Sequence, residues 1–306
     1  MKYFKGGEFK NRYKIEGTLS AISPLHIGDG EMMTNENRLP KTDKMEKTPA
    51  FNTVMVDDRA TAYIPGSTLK GNMRSWITQI FTDMNGQSLA CANDPARSDK
   101  IRSLFDANDI VDIAQIREDL RKELKMIEFL FGSAANEGKL EFWDCPMIKP
   151  PQAGKEKLQA YSGYDNQRGT IVMKSVAIDI KKGIAAKNKL YNFEAVPRGA
   201  GFKVIISGQN LDDDELGILL FALQGFNSFI FPLTLGAMGG IGFGRFKFDL
   251  SNIYCLDKSN YQDWIQGAVM NDHAGYSNIP ELKDKFESKI KEFKQAFLSQ
   301  CLGGRP

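Results

Sequence analysis

The stretch from Gly201 to Tyr254 constrains the fold of this chain more than any other. An apolar strand pattern at residues 201–207 precedes a helix that is apolar on nearly every side, and an alternating strand follows at residues 245–254. A helix without a polar face has to be buried. Asp212 and the acidic residues after it supply an N-cap and favourable charge at the start of this helix. We therefore predict a β-α-β unit with a buried helix.

The first half of the chain repeats this order of elements. Residues 13–22 and 139–145 alternate apolar and polar side chains, which indicates half-buried strands. Between them, Ser67 or Thr68 is a good N-cap for a helix with an apolar stripe. The residues of this stripe are Leu69, Met73, Trp76, Ile77 and Ile80. Two β-α-β units in succession predict an α+β fold with a ferredoxin-like core, in which an antiparallel sheet carries two helices on one side.

Inserted loops and a terminal extension surround this predicted core. Residues 30–52 are polar and lack periodicity, so we predict a long loop there. Charged amphipathic helices are predicted at residues 110–131 and 280–300. We expect one domain over residues 1–254 with extra helices in its insertions. The insertions span residues 30–52, 83–131 and 149–196, and a helical extension spans residues 255–306.

Composition excludes several classes of protein. Hydrophobic residues make up 42% and charged residues 25% of the 306 residues, which are ordinary values for a globular protein. The formal net charge is only +2, so any basic surface has to be local. Four widely spaced cysteines and two histidines argue against a zinc site or a disulfide framework. Without a signal segment or a long apolar run, we expect a cytoplasmic protein that has no membrane partner.

A glycine-rich segment precedes the last predicted strand. It places five glycines between Gly236 and Gly244 and is followed by Arg245. The pattern is neither a dinucleotide fingerprint nor a Walker loop, because a strand follows it and no Gly-Lys-Ser/Thr is present. Two interpretations remain open, namely a turn between helix and strand or a loop that lies against a phosphate backbone. The candidate RNA-binding residues here are Gly239, Gly240, Gly242, Gly244 and Arg245.

Two further segments combine cations with features that bind nucleic acid. In the first, Lys70 and Arg74 lie on one side of the helix that starts near Gly66 and Ser67, where free backbone N–H groups favour anions. In the second, residues 168–203 hold eight Lys or Arg against two acidic residues. Two aromatic residues that could stack on bases, Tyr191 and Phe193, are interleaved with these cations. This second segment predicts a projecting basic hairpin. Its candidate RNA-binding residues are Arg168, Lys174, Lys181 and Lys182.

Several motifs together resemble the RAMP superfamily of CRISPR-associated proteins, in particular the backbone subunits of type III effector complexes. The motifs occur in the family's order and cover most of the chain. They are Pro24–Gly28, Tyr63–Arg74, Leu130–Ala135 with Glu137–Gly138, Leu235–Arg245 and, more weakly, Ala177–Asp179 with Glu194–Gly199. The resemblance implies an RNA-recognition-type core, a thumb-like hairpin at residues 174–194, and assembly of several copies along a CRISPR RNA. The expected partners are CRISPR RNA, target RNA, other copies of this chain and other type III subunits.

The resemblance also implies cleavage of target RNA, with one departure. The family's catalytic aspartate is expected directly before the strand Asn52-Thr-Val54, where this chain has Phe51. The aspartate within the preceding loop is Asp43, which either replaces it or is a solvated charge. Family positions also suggest catalytic roles for His26, which could equally be a core histidine, and for Glu137. No cofactor is certain, although Mg²⁺ or Mn²⁺ would accompany cleavage.

Two alternative functions share the same motifs. A capping RAMP subunit at one end of the complex would lack the catalytic acid in the way that this chain does. A CRISPR RNA-processing endoribonuclease would share the ferredoxin-like core and the glycine-rich loop. The segment Tyr63–Gly71 favours a backbone subunit over a processing enzyme.

Overall fold

The fold is described from a computed structural model. Its described residues are 9–41, 47–81, 124–133, 136–151, 163–179 and 184–270, together with the single positions 99, 288, 291, 292 and 295. Residues 177–179, 184–190 and 268 are described by their backbone alone. Asp43, Lys181 and Lys182 lie outside the described residues, as do most of the predicted helices at 110–131 and 280–300.

Ten strands and four α-helices make up the described part of the chain. The strands are β1 (Asn11–Ala21), β2 (Gly28–Thr34), β3 (Ala50–Val54), β4 (Tyr63–Ile64), β5 (Leu140–Phe142), β6 (Cys145–Lys149), β7 (Ile171–Asp179), β8 (Ile184–Ala195), β9 (Gly201–Gln209) and β10 (Phe246–Asp257). The helices are α1 (Gly66–Phe81), α2 (Met126–Phe131), α3 (Asp213–Gly225) and α4 (Tyr261–Met270). None of these helices is long and apolar enough to cross a membrane.

The main sheet confirms the predicted ferredoxin-like core. Its strand order is β10-β1-β9-β6-β4, with β5 also paired to β9, and the pairings are antiparallel. Helix α1 follows β1 and helix α3 follows β9, so the chain forms two β-α-β units with the fourth core strand beside the first. Such an arrangement is the split β-α-β topology that the sequence predicts. Strand β10 runs three residues past the expected domain end at residue 254.

Helix α3 is buried, as its apolar sequence requires. Leu216, Ile218 and Leu219 are each 0% exposed. Asp212 accepts a hydrogen bond from the backbone N–H of Glu215 and so caps the helix at the predicted residue. Helix α1 packs beside α3 through Trp76, whose ring lies 5.4 Å from that of Phe221. The expected core between the sheet and two helices is therefore present.

A second sheet corrects the prediction of a loop at residues 30–52. Its strand order is β2-β3-β8-β7, and it includes strands at both ends of that segment. Strand β2 is an edge strand whose seven residues are all exposed, so its sequence lacks the alternation that marks a half-buried strand. Strand β8 pairs in parallel with β3, through Asn52 and Phe193, and antiparallel with β7. The predicted basic hairpin is thus β7–β8, and its base is fixed to β3.

Two local predictions were wrong in detail. Helix α1 begins at Gly66, and the carboxylate of Asp144 accepts its first N–H at 2.8 Å, so neither Ser67 nor Thr68 is the N-cap. The strand predicted at 139–145 is divided into β5 and β6 around Trp143 and Asp144. Both differences have one cause, because the break between these strands brings Asp144 to the start of the helix.

Candidate nucleic-acid interface

The glycine-rich segment is a loop that is closed at its base and open at its tip. The N–H of Leu235 donates to the carbonyl of Gly244 at 2.9 Å, and Thr234 and Arg245 form an antiparallel bridge. The N–H of Gly244 donates to Pro24 at 2.8 Å. The tip is a short 3-10 turn at Gly239–Ile241, which is exposed. These contacts hold the loop as a rigid projection beside the turn that follows β1.

Packing within the chain explains some of the glycines and not others. Gly236 and Gly244 have positive φ angles of 77° and 71°, and a Cβ atom at either would overlap neighbouring backbone. Gly240 has an ordinary φ and nothing within 4 Å of an added Cβ, and Gly239 meets only the Thr234 hydroxyl at 3.6 Å. The fold therefore requires Gly236 and Gly244, whereas Gly239 and Gly240 leave backbone uncovered at the surface. A ligand that approaches this backbone closely would account for them.

His26 lies beneath the glycine loop and supports it. Its side chain is 7% exposed, and its Nδ1 donates to the carbonyl of Glu194 at 2.6 Å. The carbonyl of His26 accepts the N–H of Ala237 at 2.9 Å. The ring also meets the edge of Phe193 with 5.4 Å between ring centroids. These contacts join the loop to the base of the hairpin and favour a supporting role for His26, as expected of a core histidine.

The base of the β7–β8 hairpin packs directly against the glycine loop. Phe193 and Phe243 lie 5.9 Å apart in a small apolar cluster that Met173 and Met238 complete. Tyr191 stacks on Phe193 at 6.0 Å and remains 44% exposed. Lys174 on β7 is also exposed. Tyr191 therefore presents an aromatic face on the side of the hairpin that packs against the loop, whereas Lys174, which pairs with Asn192, lies on the opposite face.

A buried ionic network fixes the base of this hairpin, and sequence reasoning missed it. Glu194 is fully buried and accepts hydrogen bonds from Arg38 at 2.6 Å and from Arg168 at 2.7 Å through each of its oxygens. The hydroxyl of Thr170 and the N–H of Val54 also donate to it. Burial alone would raise the pKa of Glu194, but these donors lower it to about 2. The contact with Glu194 likewise raises the pKa of Arg168.

This network changes the role assigned to Arg168. The side chain of Arg168 is only 12% exposed, and its guanidinium is bound by both carboxylate oxygens of Glu194. We therefore assign it to the support of the hairpin and withdraw it from the candidate RNA contacts. Arg38 is still more deeply buried, and its guanidinium lies 5.3 Å from the ring of Phe51. No signal in the sequence connects residues 156 positions apart, such as Arg38 and Glu194.

Backbone hydrogen bonds connect the glycine loop to the start of helix α1. The N–H of Ala237 donates to His26, the N–H of Met55 to Ile27, and the N–H of Tyr63 to Met55. Hydrogen-bonded backbone segments lie about 4.8 Å apart, so three such hydrogen bonds in succession extend over about 15 Å. Helix α1 starts three residues beyond Tyr63. This chain of hydrogen bonds links the two predicted anion-binding segments. We call the linked surface, from the glycine loop through residues 26–27, 55 and 63 to the start of helix α1, the ledge.

The helical end of this ledge holds the predicted cations. Lys70 and Arg74 are partly exposed, and neither has an ion-pair partner among the described residues. Partial burial and the charge of Arg74 lower the pKa of Lys70, although Glu137 opposes the shift. An anion between the two cations would relieve their repulsion. Gly66 is buried against Phe142, so the fold itself requires that glycine.

Glu137 lies at the rim of a small depression beside Lys70. The depression has a volume of about 200 Å³ and is also lined by Lys139 and Glu141. The ammonium of Lys139 is already bound by the buried carboxylate of Glu215, at 2.6 and 2.7 Å. Burial raises the pKa of Glu215, and Lys139 counteracts this. Glu137 is exposed, and its place beside Lys70 makes it a neighbour of the proposed phosphate contacts.

The position expected to carry the family's acid is part of the core. Phe51 on β3 is 0% exposed and packs over Arg38. Asn52 points to the opposite face of the strand and is exposed. In the described ranges, no group of three His, Cys, Asp or Glu side chains is arranged to hold a metal ion.

The central strands β1 and β9 carry no aromatic side chain on the open face of the main sheet, where the neighbouring strand β10 has Tyr254 beside Lys14. The outward residues of the central strand β1 are Arg12, Lys14, Glu16, Thr18 and Ser20. Lys14 and Lys203 both contact Glu16, at 2.9 and 3.9 Å. RNA-recognition sheets stack bases on aromatic side chains of the central strands. The ledge with the glycine loop is therefore the better candidate interface.

Comparison with known proteins identifies one family. A family model described as the RAMP superfamily matches residues 18–247, from β1 to the start of β10. The match includes the glycine loop, the ledge and the β7–β8 hairpin. No curated protein matches the chain.

Proposed function

The chain belongs to the RAMP superfamily of CRISPR-associated, RNA-binding proteins, and we propose that it is a backbone subunit of a type III effector complex. In this proposal several copies bind along a CRISPR RNA and hold its duplex with target RNA. The observation that carries the proposal is the open tip of the glycine loop, where Gly239 and Gly240 leave backbone uncovered beside the hairpin base.

The ledge would bind the phosphates of the guide RNA. The exposed side chain of Arg245 has no ion-pair partner among the described residues, and it follows directly after the glycine tip. At the other end of the ledge, Lys70 and Arg74 present two cations on one helix face. Contacts to phosphates position an RNA without reading its bases, so pairing with the guide would carry the sequence specificity.

The β7–β8 hairpin would interrupt the bound RNA at regular intervals. Its base is rigid because Glu194 and the Phe193–Phe243 cluster join it to β3 and to the glycine loop. Tyr191 presents an aromatic face on the side of the glycine loop, and Lys174 presents a cation on the opposite face of the hairpin. Stacking of a base on an aromatic ring contributes about 1–3 kcal/mol. A base displaced by the hairpin would stack on the exposed ring of Tyr191.

Nuclease footprinting of the assembled complex tests the backbone role. Purified protein is loaded onto a CRISPR RNA, and protected positions are mapped along the whole guide. A backbone subunit is expected to protect the RNA at regular intervals. Protection confined to one end of the guide would favour the capping subunit, and specific cuts in precursor RNA would favour the processing enzyme.

Cleavage of target RNA is the second part of the proposal. We assign the reaction to Asp43 with Mg²⁺ or Mn²⁺, since Phe51 is fully buried and has no acidic group, and His26 is 7% exposed with its Nδ1 bonded to the carbonyl of Glu194. A carboxylate near the scissile phosphate could bind the ion or orient the 2′-hydroxyl.

The test compares Asp43→Ala with Asp58→Ala, an exposed aspartate after β3 that serves as the matched control. The proposal expects Asp43→Ala to lose regular cuts in paired target RNA while it still binds the guide. Unchanged cutting by Asp43→Ala contradicts this assignment, and a wild-type protein that binds the guide without cutting is a non-cleaving subunit.

A further inference from the structure

The loop between helix α3 and the glycine loop holds two large apolar side chains in solvent. Phe229 is 92% exposed and Ile230 is 91% exposed. No residue from 216 to 244 is charged, so the surroundings of this pair in the sequence are uncharged as well. We call Phe229 and Ile230 the apolar tip. Exposed apolar groups of this kind mark sites of interaction.

The apolar tip is held rigidly. The side chain of Asn227 forms two hydrogen bonds with the backbone of Phe248 on β10, each of 2.9 Å. On the other side, the indole N–H of Trp76 donates to the carbonyl of Phe231 at 3.0 Å, and the two rings stack at 5.9 Å. The N–H of Leu233 donates to Gly225. A contact made by a preorganised loop loses little conformational entropy on binding.

A second exposed apolar surface lies on helix α4. Val269 and Met270 are each 75% exposed, and Ile265, one turn before Val269, is 39% exposed. We call these three residues the α4 face. Helix α4 follows the end of β10, whereas the apolar tip is bonded to Phe248 near the start of that strand. The strand from Phe248 to its end at Asp257 is about 30 Å long, so the two surfaces are attached near opposite ends of β10.

We propose that the apolar tip of one copy of this chain docks on the α4 face of the next copy. Complementary surfaces at opposite ends of a strand form a heterologous contact, which repeats in one direction and does not close a dimer. An open repeat of that kind suits copies placed in a row on an RNA. The proposal therefore rests on the proposed function and names the surfaces that would join neighbouring copies.

The size of the two surfaces determines when the contact forms. A Phe side chain buries about 150–250 Å², whereas a stable interface buries at least about 1,200 Å². The contact is therefore too small to hold two free copies together. Binding to one RNA raises their effective concentration, so that assembly depends on RNA.

RNA is a less suitable ligand for the apolar tip itself. Phosphate contacts need cations, and the cation beside Phe248, to which this loop is bonded, is Lys247, which is already paired with Asp249 at 2.7 Å. Ile230 also has no flat face on which a base could stack. An apolar protein surface, such as the α4 face, is the matching ligand.

The test uses two charge-bearing variants and a matched control. Phe229→Asp/Ile230→Asp changes the tip, Val269→Asp/Met270→Asp changes the α4 face, and Ile148→Asp changes an apolar side chain elsewhere that is 55% exposed. Binding is measured on an RNA that holds two copies and on one that holds a single copy. We expect the second wild-type copy to bind at least tenfold more tightly than the first. Each double variant should lose this cooperativity, and Ile148→Asp should keep it.

Mixing the two double variants tests the direction of the contact. The intact α4 face of the tip variant can accept the intact tip of the other, so an equal mixture should again form cooperative pairs. A mixture that forms no pairs, or double variants that remain cooperative, would overturn the proposal. Weaker binding of the tip variant to the single-copy RNA would show that the tip contacts RNA, and would overturn it too.

The single-copy RNA separates this inference from the proposed function. If the wild-type protein binds no RNA, the proposed function fails, and two full copies joined by a flexible linker, which raises their effective concentration as the RNA would, then decide the inference. Chemical crosslinks between the apolar tip of one copy and the α4 face of the other, lost in both double variants, would support the contact. A joined pair that forms no such crosslink would contradict it.

Discussion

Replacing Glu194 with glutamine should destabilise the protein strongly. Glutamine keeps the shape of the side chain but removes the charge that neutralises Arg38 and Arg168, whose side chains are 5% and 12% exposed. The donors around Glu194 lower its pKa from the ordinary value of 4.5 to about 2. At about 1.4 kcal/mol for each pH unit, this difference corresponds to about 3 kcal/mol of unfolding free energy. Breaking a buried ion pair from one side costs a similar amount, about 3–5 kcal/mol.

The pH dependence of this effect has a definite sign. Because the pKa of Glu194 is lower in the folded than in the unfolded state, its contribution is complete above pH 4.5 and declines as the pH falls towards 2. The wild-type protein should therefore lose its advantage over Glu194→Gln in acid. At pH 3, linkage leaves about 1.5 kcal/mol of the original difference.

Urea unfolding followed by circular dichroism measures both effects. Wild type and Glu194→Gln are compared at pH 7, 5, 4 and 3, with Glu141→Gln as the control. Glu141 pairs with Arg12 at 3.0 Å but is 58% exposed, so its loss should cost less than about 1 kcal/mol. A Glu194→Gln protein within about 1 kcal/mol of wild type at pH 7 refutes the reasoning. So does a difference that stays constant down to pH 3.

Four further substitutions test the segments that would bind RNA. Gly71→Ala should stabilise the protein by about 0.5–1 kcal/mol in thermal unfolding, because this helix-interior glycine has nothing within 4 Å of an added Cβ. If the same variant also binds RNA more tightly than wild type, RNA does not approach the backbone closely at Gly71. Gly240→Ala should fold normally, because an added Cβ meets nothing within 4 Å, and should bind guide RNA more weakly in a filter assay. Gly244→Ala should lower the melting temperature, because Gly244 has a positive φ of 71°. Arg245→Ala should reduce the slope of log affinity against log salt by about 0.7–0.9, and an unchanged slope would remove this residue from the phosphate contacts.

The ferredoxin-like core could be predicted because its elements carry local signals. Strand β1 alternates between buried and half-buried residues along its whole length, and helix α3 begins at a capping aspartate and is apolar throughout. The order of these elements was enough to indicate which strands would pair. Such features depend on neighbours in the sequence, which pattern analysis can detect.

The second sheet and its buried network depend on contacts between distant residues. Every residue of β2 is exposed, so only its pairing with β3 shows that it is a strand. Glu194 binds Arg38 across 156 positions, and in the sequence both are ordinary charged residues. Asp144 similarly caps a helix that starts 78 positions earlier. These roles arise from tertiary structure, and no local propensity reports them.

The glycine loop shows both situations in one segment. Its density of glycine left a turn and a phosphate site equally open. The structure divides the glycines into those that the fold requires, such as Gly236 and Gly244, and those that face open space, such as Gly240. This distinction depends on the positions of neighbouring backbone atoms, which the sequence does not contain.

Photo-crosslinking of bound CRISPR RNA tests the central claim most directly. The protein is loaded with a guide that carries photoreactive uridines, irradiated and digested, and the crosslinked peptides are identified by mass spectrometry. Crosslinks are expected in the glycine loop at residues 236–245, at the start of helix α1 and around Tyr191. Crosslinks confined to the open sheet face around Lys14 and Lys203 would contradict the proposed interface.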